Sequence, residues 1–244
     1  MALNALLYGT IAGLATLGGI ALVLWKRDVA IRYSHFVNSF AAGALITLAL
    51  AHLLPESVEL TDNALLVSLG AFIVFYIIEI VLVFHSGSAI HYVEQSQRAT
   101  HNKAPIIFTG LFLHSLIDGV IIAVGFEVSM ELGLFAAVGV IMHEIPEGIT
   151  SFALLARSMK LRTALLLSVA VGLATPVGAA VALGPLSGMT ESGLGMMMAV
   201  AAGSFLYVAA SDLIPETHER NALQNLVFLL AGAGLMYSLS VLFE

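Results

Sequence analysis

Cysteine is absent from the 244 residues, which removes disulfide frameworks, thiolate-bound zinc, iron–sulfur and blue-copper centres, and thiol nucleophiles. Charge is scarce as well. Asp, Glu, Lys and Arg make up 10% of the chain, against about 25% in a soluble domain. That shortage excludes a disordered chain, a basic nucleic-acid binder and an ordinary soluble enzyme. What fills the sequence instead is 59% hydrophobic residues, with a mean hydropathy of +1.00. The composition is that of a polytopic membrane protein.

A helix needs roughly 20 apolar residues to cross a bilayer, and the chain divides into eight such stretches. They lie at about 4–25, 36–54, 63–84, 105–126, 132–156, 162–184, 193–213 and 223–242, with ends good to a few residues. The longest gap, 86–104, reads as a cytoplasmic loop. The first stretch lacks a basic leader and ends in Lys26-Arg27, so it reads as a true span rather than a cleaved signal. All nine Lys and Arg (Lys26, Arg27, Arg32, Arg98, Lys103, Arg157, Lys160, Arg162 and Arg220) fall after spans 1, 3, 5 and 7. The junctions after spans 2, 4 and 6 carry Glu56, Glu59, Asp62, Glu127, Glu131 and Glu191 instead. By the positive-inside rule the odd junctions are cytoplasmic and both termini are outside. The expected fold is a single all-α transmembrane domain over 1–244, and the short loops point to a prokaryotic plasma (inner) membrane.

Two internal matches stand out. AAGALITLALAHLLPES (41–57) matches AAGSFLYVAASDLIPET (201–217) at an offset of 160 residues, and HSLIDG (114–119) matches HEIPEG (143–148) at an offset of 29. Both pairs join spans of opposite direction, as an inverted repeat folding spans 1–4 onto 8–5 would. Inverted repeats place a transporter's substrate site near the bilayer midplane.

The second match is also the chemical centre. His114 and Asp118 are four residues apart, as are His143 and Glu147, so each pair shares a helix face. Glu144 is turned about 100° from His143. Pro146 removes a hydrogen bond to the Met142 carbonyl and should bend the helix. An acid at the centre of a span costs about 2.5–3.5 kcal/mol, and no span interior holds a Lys or Arg to offset it. Bound cations or protons remain, and imidazole with carboxylate suits Zn²⁺, Fe²⁺, Mn²⁺ or Co²⁺. Interhelical hydrogen bonds between protonated acids are the structural alternative.

HSLIDG with HEIPEG resembles the signature pair of the ZIP (Zrt/Irt-like) metal transporters. LALAHLLPES, AAGSFLYVAASDLIPE and the eight spans are similar to that family too. The resemblance implies import of a divalent metal (Zn²⁺, or Fe²⁺, Mn²⁺, Co²⁺ or Cd²⁺) into the cytoplasm. It implies a metal site between spans 4 and 5, often two sites bridged by carboxylates, and commonly a homodimer. On this mapping His114, Asp118 and Glu147 form the primary site, and His143 and Glu144 join Asp118 and Glu147 around the second. Two positions depart from the family pattern: Ser115 stands where Asn is usual, and Thr175, before Pro176, where Glu is frequent. Each supplies a neutral oxygen only, so the second site should be weak or missing. The resemblance also has spans 1, 4, 5 and 6 moving against 2, 3, 7 and 8.

Other features fit less closely. His52/Glu56 and Asp212/Glu216 are candidate entrance and exit ligands, or plain headgroup-level polar residues. His85, His91 and His101 lie in or beside the long junction without a tight zinc spacing. Met196, Met197 and Met198 are consecutive and cannot converge on one ion. Glu79 is an isolated acid expected to find an interhelical hydrogen bond, and Trp25 and Tyr33 read as interfacial anchors. His143-Glu144 also begins like the zincin motif, so an intramembrane zinc hydrolase is the competing reading, though position four is Glu147 rather than His. A metal-conducting channel or sensor shares every ligand. No organic cofactor or nucleic-acid partner is expected.

Overall fold

The computed structural model describes residues 1–86, 104–215 and 222–243, and every regular element among them is helical. Helix α1 runs Ala2–Leu48, passes through a π-turn at Ala49–Leu53 and continues as α2, Leu54–Leu60. There follow α3 (Ala64–Ser86), α4 (Ala104–Val128), α5 (Met130–Ser158), α6 (Leu161–Leu186) and α7 (Glu191–Val208). A second π-turn, Ala209–Leu213, ends α7, and α8 is Ala222–Phe243. Six of the described helices are long and apolar enough to cross a membrane, counting Ala2–Leu60 as one. The chain is an integral membrane protein. Residues 87–103, most of the expected cytoplasmic loop, lie outside the described residues.

Ala2–Leu60 cannot cross once. Its 59 residues would extend about 90 Å at 1.5 Å per residue, three times a bilayer core. No Gly or Pro occurs between Gly19 and Gly43, so nothing in the sequence stops the helix where a gap was expected after Trp25. One residue breaks it: Lys26 has φ −140° and ψ 65°. The two arms then run in opposite directions along α5. In the first arm Asn4 bonds Met130 at 3.3 Å and Thr16 bonds Glu144, while Gly19 abuts Ile145. In the second arm His52 stacks on Phe135, with ring centroids 4.3 Å apart, and Leu48 fills the space over Gly139.

Helix packing in lipid lacks a hydrophobic drive and relies on small residues that let backbones meet. Here glycines face carbonyls. A Cβ on Gly148 would strike the Thr16 carbonyl and one on Gly19 that of Ile145, which locks the first arm to α5. Gly119 meets the Thr175 carbonyl and Gly178 that of Leu116, joining α4 to α6. Gly43 meets Leu229 and Gly232 meets Phe40, joining the second arm to α8, and Gly203 meets Ser68, joining α7 to α3.

These contacts match in pairs, but not in the order 1–4 onto 8–5. If the second arm corresponds to α7, its contact with α8 should recur as α7 against the first arm. Instead α7 packs its Gly203 on α3. The pairs agree when the first arm, second arm and α3 are set against α6, α7 and α8 in chain order, with α4 against α5. The physical reason is that a segment repeated along a chain would keep its chain direction, which the order 1–4 onto 8–5 reverses. The two π-turns, Ala49–Leu53 and Ala209–Leu213, also lie at the same offset of 160. Each precedes a Leu-Pro or Ile-Pro pair, whose proline cannot donate to the turn above it. Pro146 does not interrupt α5, which stays helical from Met130 to Ser158.

Gly43→Ala and Gly203→Ala should each lower the unfolding temperature in detergent, corresponding to about 1–3 kcal/mol for an overpacked contact. Gly70→Ala and Gly234→Ala, where an added Cβ meets nothing within 4 Å, should leave it unchanged or raise it slightly. Thermal unfolding of the four variants decides whether the glycine–carbonyl contacts hold the bundle.

Candidate metal centre

Helices α4 and α5 are separated only by Ser129, whose side chain accepts from the Leu132 amide at 3.1 Å and caps α5. So tight a hairpin lays the two helices side by side and antiparallel. HSLIDG on one then faces HEIPEG on the other.

His114, Asp118, His143 and Glu147 come together, each offering one ligand atom, all four within 4.8 Å of one another. His143 Nε2 lies 3.2 Å from Asp118 Oδ2, His114 Nε2 lies 3.4 Å from the same oxygen, and His114 Nε2 lies 3.9 Å from Glu147 Oε2. Ligands about 2.0 Å from a tetrahedral ion sit roughly 3.3 Å apart, so these separations suit one small divalent cation. The His143 and Asp118 side chains are 2% exposed and that of His114 21%.

Hydrogen bonds aim the ligands. His143 Nδ1 lies 3.1 Å from the Gly139 carbonyl. A carbonyl only accepts, so Nδ1 carries the proton and Nε2 presents a lone pair. That lone pair faces a carboxylate oxygen, an arrangement that needs a positive charge, metal or proton, between them. Ser115 Oγ donates to Glu147 Oε1 at 2.8 Å, while Oε2 is the oxygen turned toward His114. Ser115, a candidate for a second site, is thus bonded to a member of the four-residue group.

Glu144 is placed differently from the second-site role the family resemblance implied. It is fully buried but lies outside the four-residue group. Its Oε1 accepts from Thr175 Oγ1 at 2.6 Å and its Oε2 from Thr16 Oγ1. Thr175 is thus tied to Glu144 as a hydroxyl donor. Thr16 was missed in the sequence. The available signal was weak: a buried acid needs donors, and Thr16 is a hydroxyl near the middle of the first span.

Of the remaining candidates, His52 and Glu56 are described and are not part of the four-residue group. His52 is buried in the first π-turn against Phe135, and Glu56 is half-buried on α2. Asp212 belongs to the second π-turn, but its side chain and Glu216 lie outside the described residues. So do His91, His101 and the side chains of His85 and Glu79.

Burial changes sharply at the centre. Along α4, Asp118, Gly119 and Ile121–Phe126 are buried, whereas no residue from Pro105 to His114 is. That buried half packs into an apolar core that includes Leu45, Leu48, Leu53, Phe126, Phe135 and Phe205, read below as a plug. Ser115→Ala should weaken zinc binding by about tenfold, as loss of a ligand's hydrogen-bond partner commonly does. Competition with a chromophoric chelator in detergent measures this, and unchanged affinity would remove Ser115 from the centre.

Comparison with known proteins places this geometry. Residues 85–240, more than half the chain, match the family model described as ZIP Zinc transporter. Zinc transporter ZIP4 of Mus musculus is 36% identical over 148 residues, 59% of this chain and 22% of that protein. A zinc transporter ZIP13 homolog of Drosophila melanogaster is 35% identical over 169 residues, 62% of this chain and 46% of that protein. Zinc transporter ZIP13 of Pongo abelii is 26% identical over 216 residues, 83% of this chain and 66% of that protein. The aligned region thus spans about a fifth of the mouse relative's length and under half of the fly one's. All three are animal proteins, so they lend no support to a prokaryotic membrane.

Proposed function

Because the chain belongs to the ZIP zinc transporter family, we propose that it moves Zn²⁺ or a similar divalent ion across a membrane into the cytoplasm by alternating access. The observation that carries this reading is the meeting of His114, Asp118, His143 and Glu147 within 4.8 Å, between a plugged half and a more open half of α4. Two imidazoles and two carboxylates neutralise and hold a divalent ion at a depth where no Lys or Arg competes for the acids. The more open half faces the end of the bundle that carries Arg157, Lys160 and Arg162. By the positive-inside rule that end is cytoplasmic, so the conformation reads as open inward.

The proposal includes eight crossings, with the arms of α1 as the first two, and both ends of this sequence on the outer side. It includes an inverted repeat of spans 1–3 on 6–8, with 4 on 5, and the homodimer implied by the family resemblance. The glycine contacts favour two moving units. The first arm packs on α5, and α4 on α6; the second arm packs on α8, and α7 on α3. His52/Glu56 and Asp212/Glu216, near the π-turns at opposite ends, are proposed as stations on the way in and out. Fe²⁺, Mn²⁺, Co²⁺ and Cd²⁺ are the competing cargoes, since donor type alone does not rank them.

The relatives are named as transporters, not enzymes, and the hydrolase reading is set aside. The centre agrees, because Glu144 is bound to two hydroxyls instead of facing the ion as a general base would.

The test is metal uptake into proteoliposomes of the purified protein, comparing Zn²⁺, Fe²⁺, Mn²⁺ and Cd²⁺. Saturable uptake that His143→Ala, Glu147→Ala abolishes is the expected result. Tight binding with no flux would make the protein a sensor or store, and non-saturating flux would make it a channel. Ligand atoms must lose their protons to bind metal, so apparent zinc affinity should fall as pH falls. Uptake that stays flat across imposed pH gradients would separate that binding effect from proton-coupled transport.

A further inference from the structure

Glu144 is a buried acid that the four-ligand centre does not use. It follows His143 directly, yet its carboxylate faces the first arm of α1 and α6. Each oxygen is taken by one hydroxyl: Oε1 by Thr175 and Oε2 by Thr16. All three side chains are fully buried. The surrounding backbones leave no slack. Gly148 abuts the Thr16 carbonyl, and a Cβ on Gly172 would lie 3.2 Å from Thr16 Cβ.

From this geometry we infer that Thr16 and Thr175 are positioning residues that hold Glu144 off the bound ion, fixing a four-ligand site of two imidazoles and two carboxylates. The inference rests on the metal-binding reading above and deepens it. A carboxylate one residue from a ligand would otherwise be drawn to a divalent cation, raising its coordination number and slowing its release. Two hydroxyl donors compete with the cation for that carboxylate, and a hydrogen bond to a charged group is among the stronger kinds. Neither hydroxyl touches the ion in this arrangement. Both act through Glu144.

Cobalt substitution tests the inference without relying on transport, because four-coordinate Co²⁺ absorbs visible light far more strongly than five- or six-coordinate Co²⁺. The full chain in detergent, titrated with Co²⁺, should give the intense four-coordinate spectrum. Glu144→Gln should keep that spectrum, whereas Glu147→Gln should change it. Thr16→Val, Thr175→Val should release Glu144 toward the ion. The band would then weaken and Co²⁺ dissociation would slow, by about tenfold if freeing the carboxylate returns one charged hydrogen bond's worth of attraction to the metal. Thr16→Ser, which keeps the hydroxyl, should restore the native spectrum and rate to a Thr16→Val protein, a rescue that packing alone would not produce. A Glu144→Gln spectrum shifted like that of Glu147→Gln would make Glu144 a ligand and overturn the inference. So would a double valine variant that binds Co²⁺ with native spectrum and kinetics. If the double variant does not fold, Thr16→Val against Thr16→Ser decides the role of the hydroxyl, and Glu144→Gln decides whether Glu144 is a ligand. Absence of any Co²⁺ binding by the unaltered chain would instead bring down the metal-transport reading itself.

Discussion

Negative charge in a medium without water is the constraint on which this structure turns. Asp118, Glu144 and Glu147 lie near the middle of helices long and apolar enough to cross a membrane, and no span interior offers a Lys or Arg. An unpaired charge there is too costly to keep. The fold answers in two ways. Asp118 and Glu147 gather with the imidazoles of His114 and His143, while Glu144 faces hydroxyls. Both answers demand close helices. The Ser129 hairpin holds α4 against α5, and glycines bring α1 and α6 near enough for Thr16 and Thr175 to reach one carboxylate.

The glycine contacts also divide the bundle mechanically. Where Gly148 meets Thr16 or Gly232 meets Phe40, backbone touches backbone, and neither surface can yield. Between the second arm and α5 the contact is made by side chains: Leu48 over Gly139, His52 on Phe135, and the buried Leu45, Phe126 and Phe205 around them. Side chains can change rotamer while backbones cannot change thickness. A bundle built this way has stiff pairs joined by a seam that can repack.

The sequence made most of the framework legible. Hydropathy located α3 to α8 within a few residues, because twenty-residue apolar runs have few other solutions. Helical period puts His114 with Asp118 and His143 with Glu147 on shared faces, but the resemblance split them, with His143 beside Glu144 at a second site, whereas the structure groups His143 with the other three. Other features could not be read that way. The continuity of α1 past Trp25 follows from the lack of any Gly or Pro before Gly43, while the reversal rests on one residue's backbone angles at Lys26. The matched strings suggested a repeat, but which helices pair came from which glycine met which carbonyl. Glu144 has the right chemistry for a ligand. Its orientation depends on Thr16, 128 residues away, and no local pattern encodes that.

One consequence joins the two themes. The four residues proposed as ligands sit on α4 and α5, and the hydroxyls bonded to Glu144 come from α6 and the first arm of α1. The residues proposed to hold the ion and the hydroxyls bonded to Glu144 therefore belong to the set tied together by Gly19, Gly148, Gly119 and Gly178. The plug is shared with the other set, through Leu45, Leu48, Leu53 and Phe205. Under alternating access, displacement of the first set against the second would loosen the plug and cover the opposite opening. It would not have to break a metal–ligand contact, because none crosses the seam. The costly step, stripping an ion of its ligands in a low-dielectric interior, is then deferred until water reaches the site from the far side. Holding Glu144 back serves the same end, since a fifth ligand would have to be broken as well.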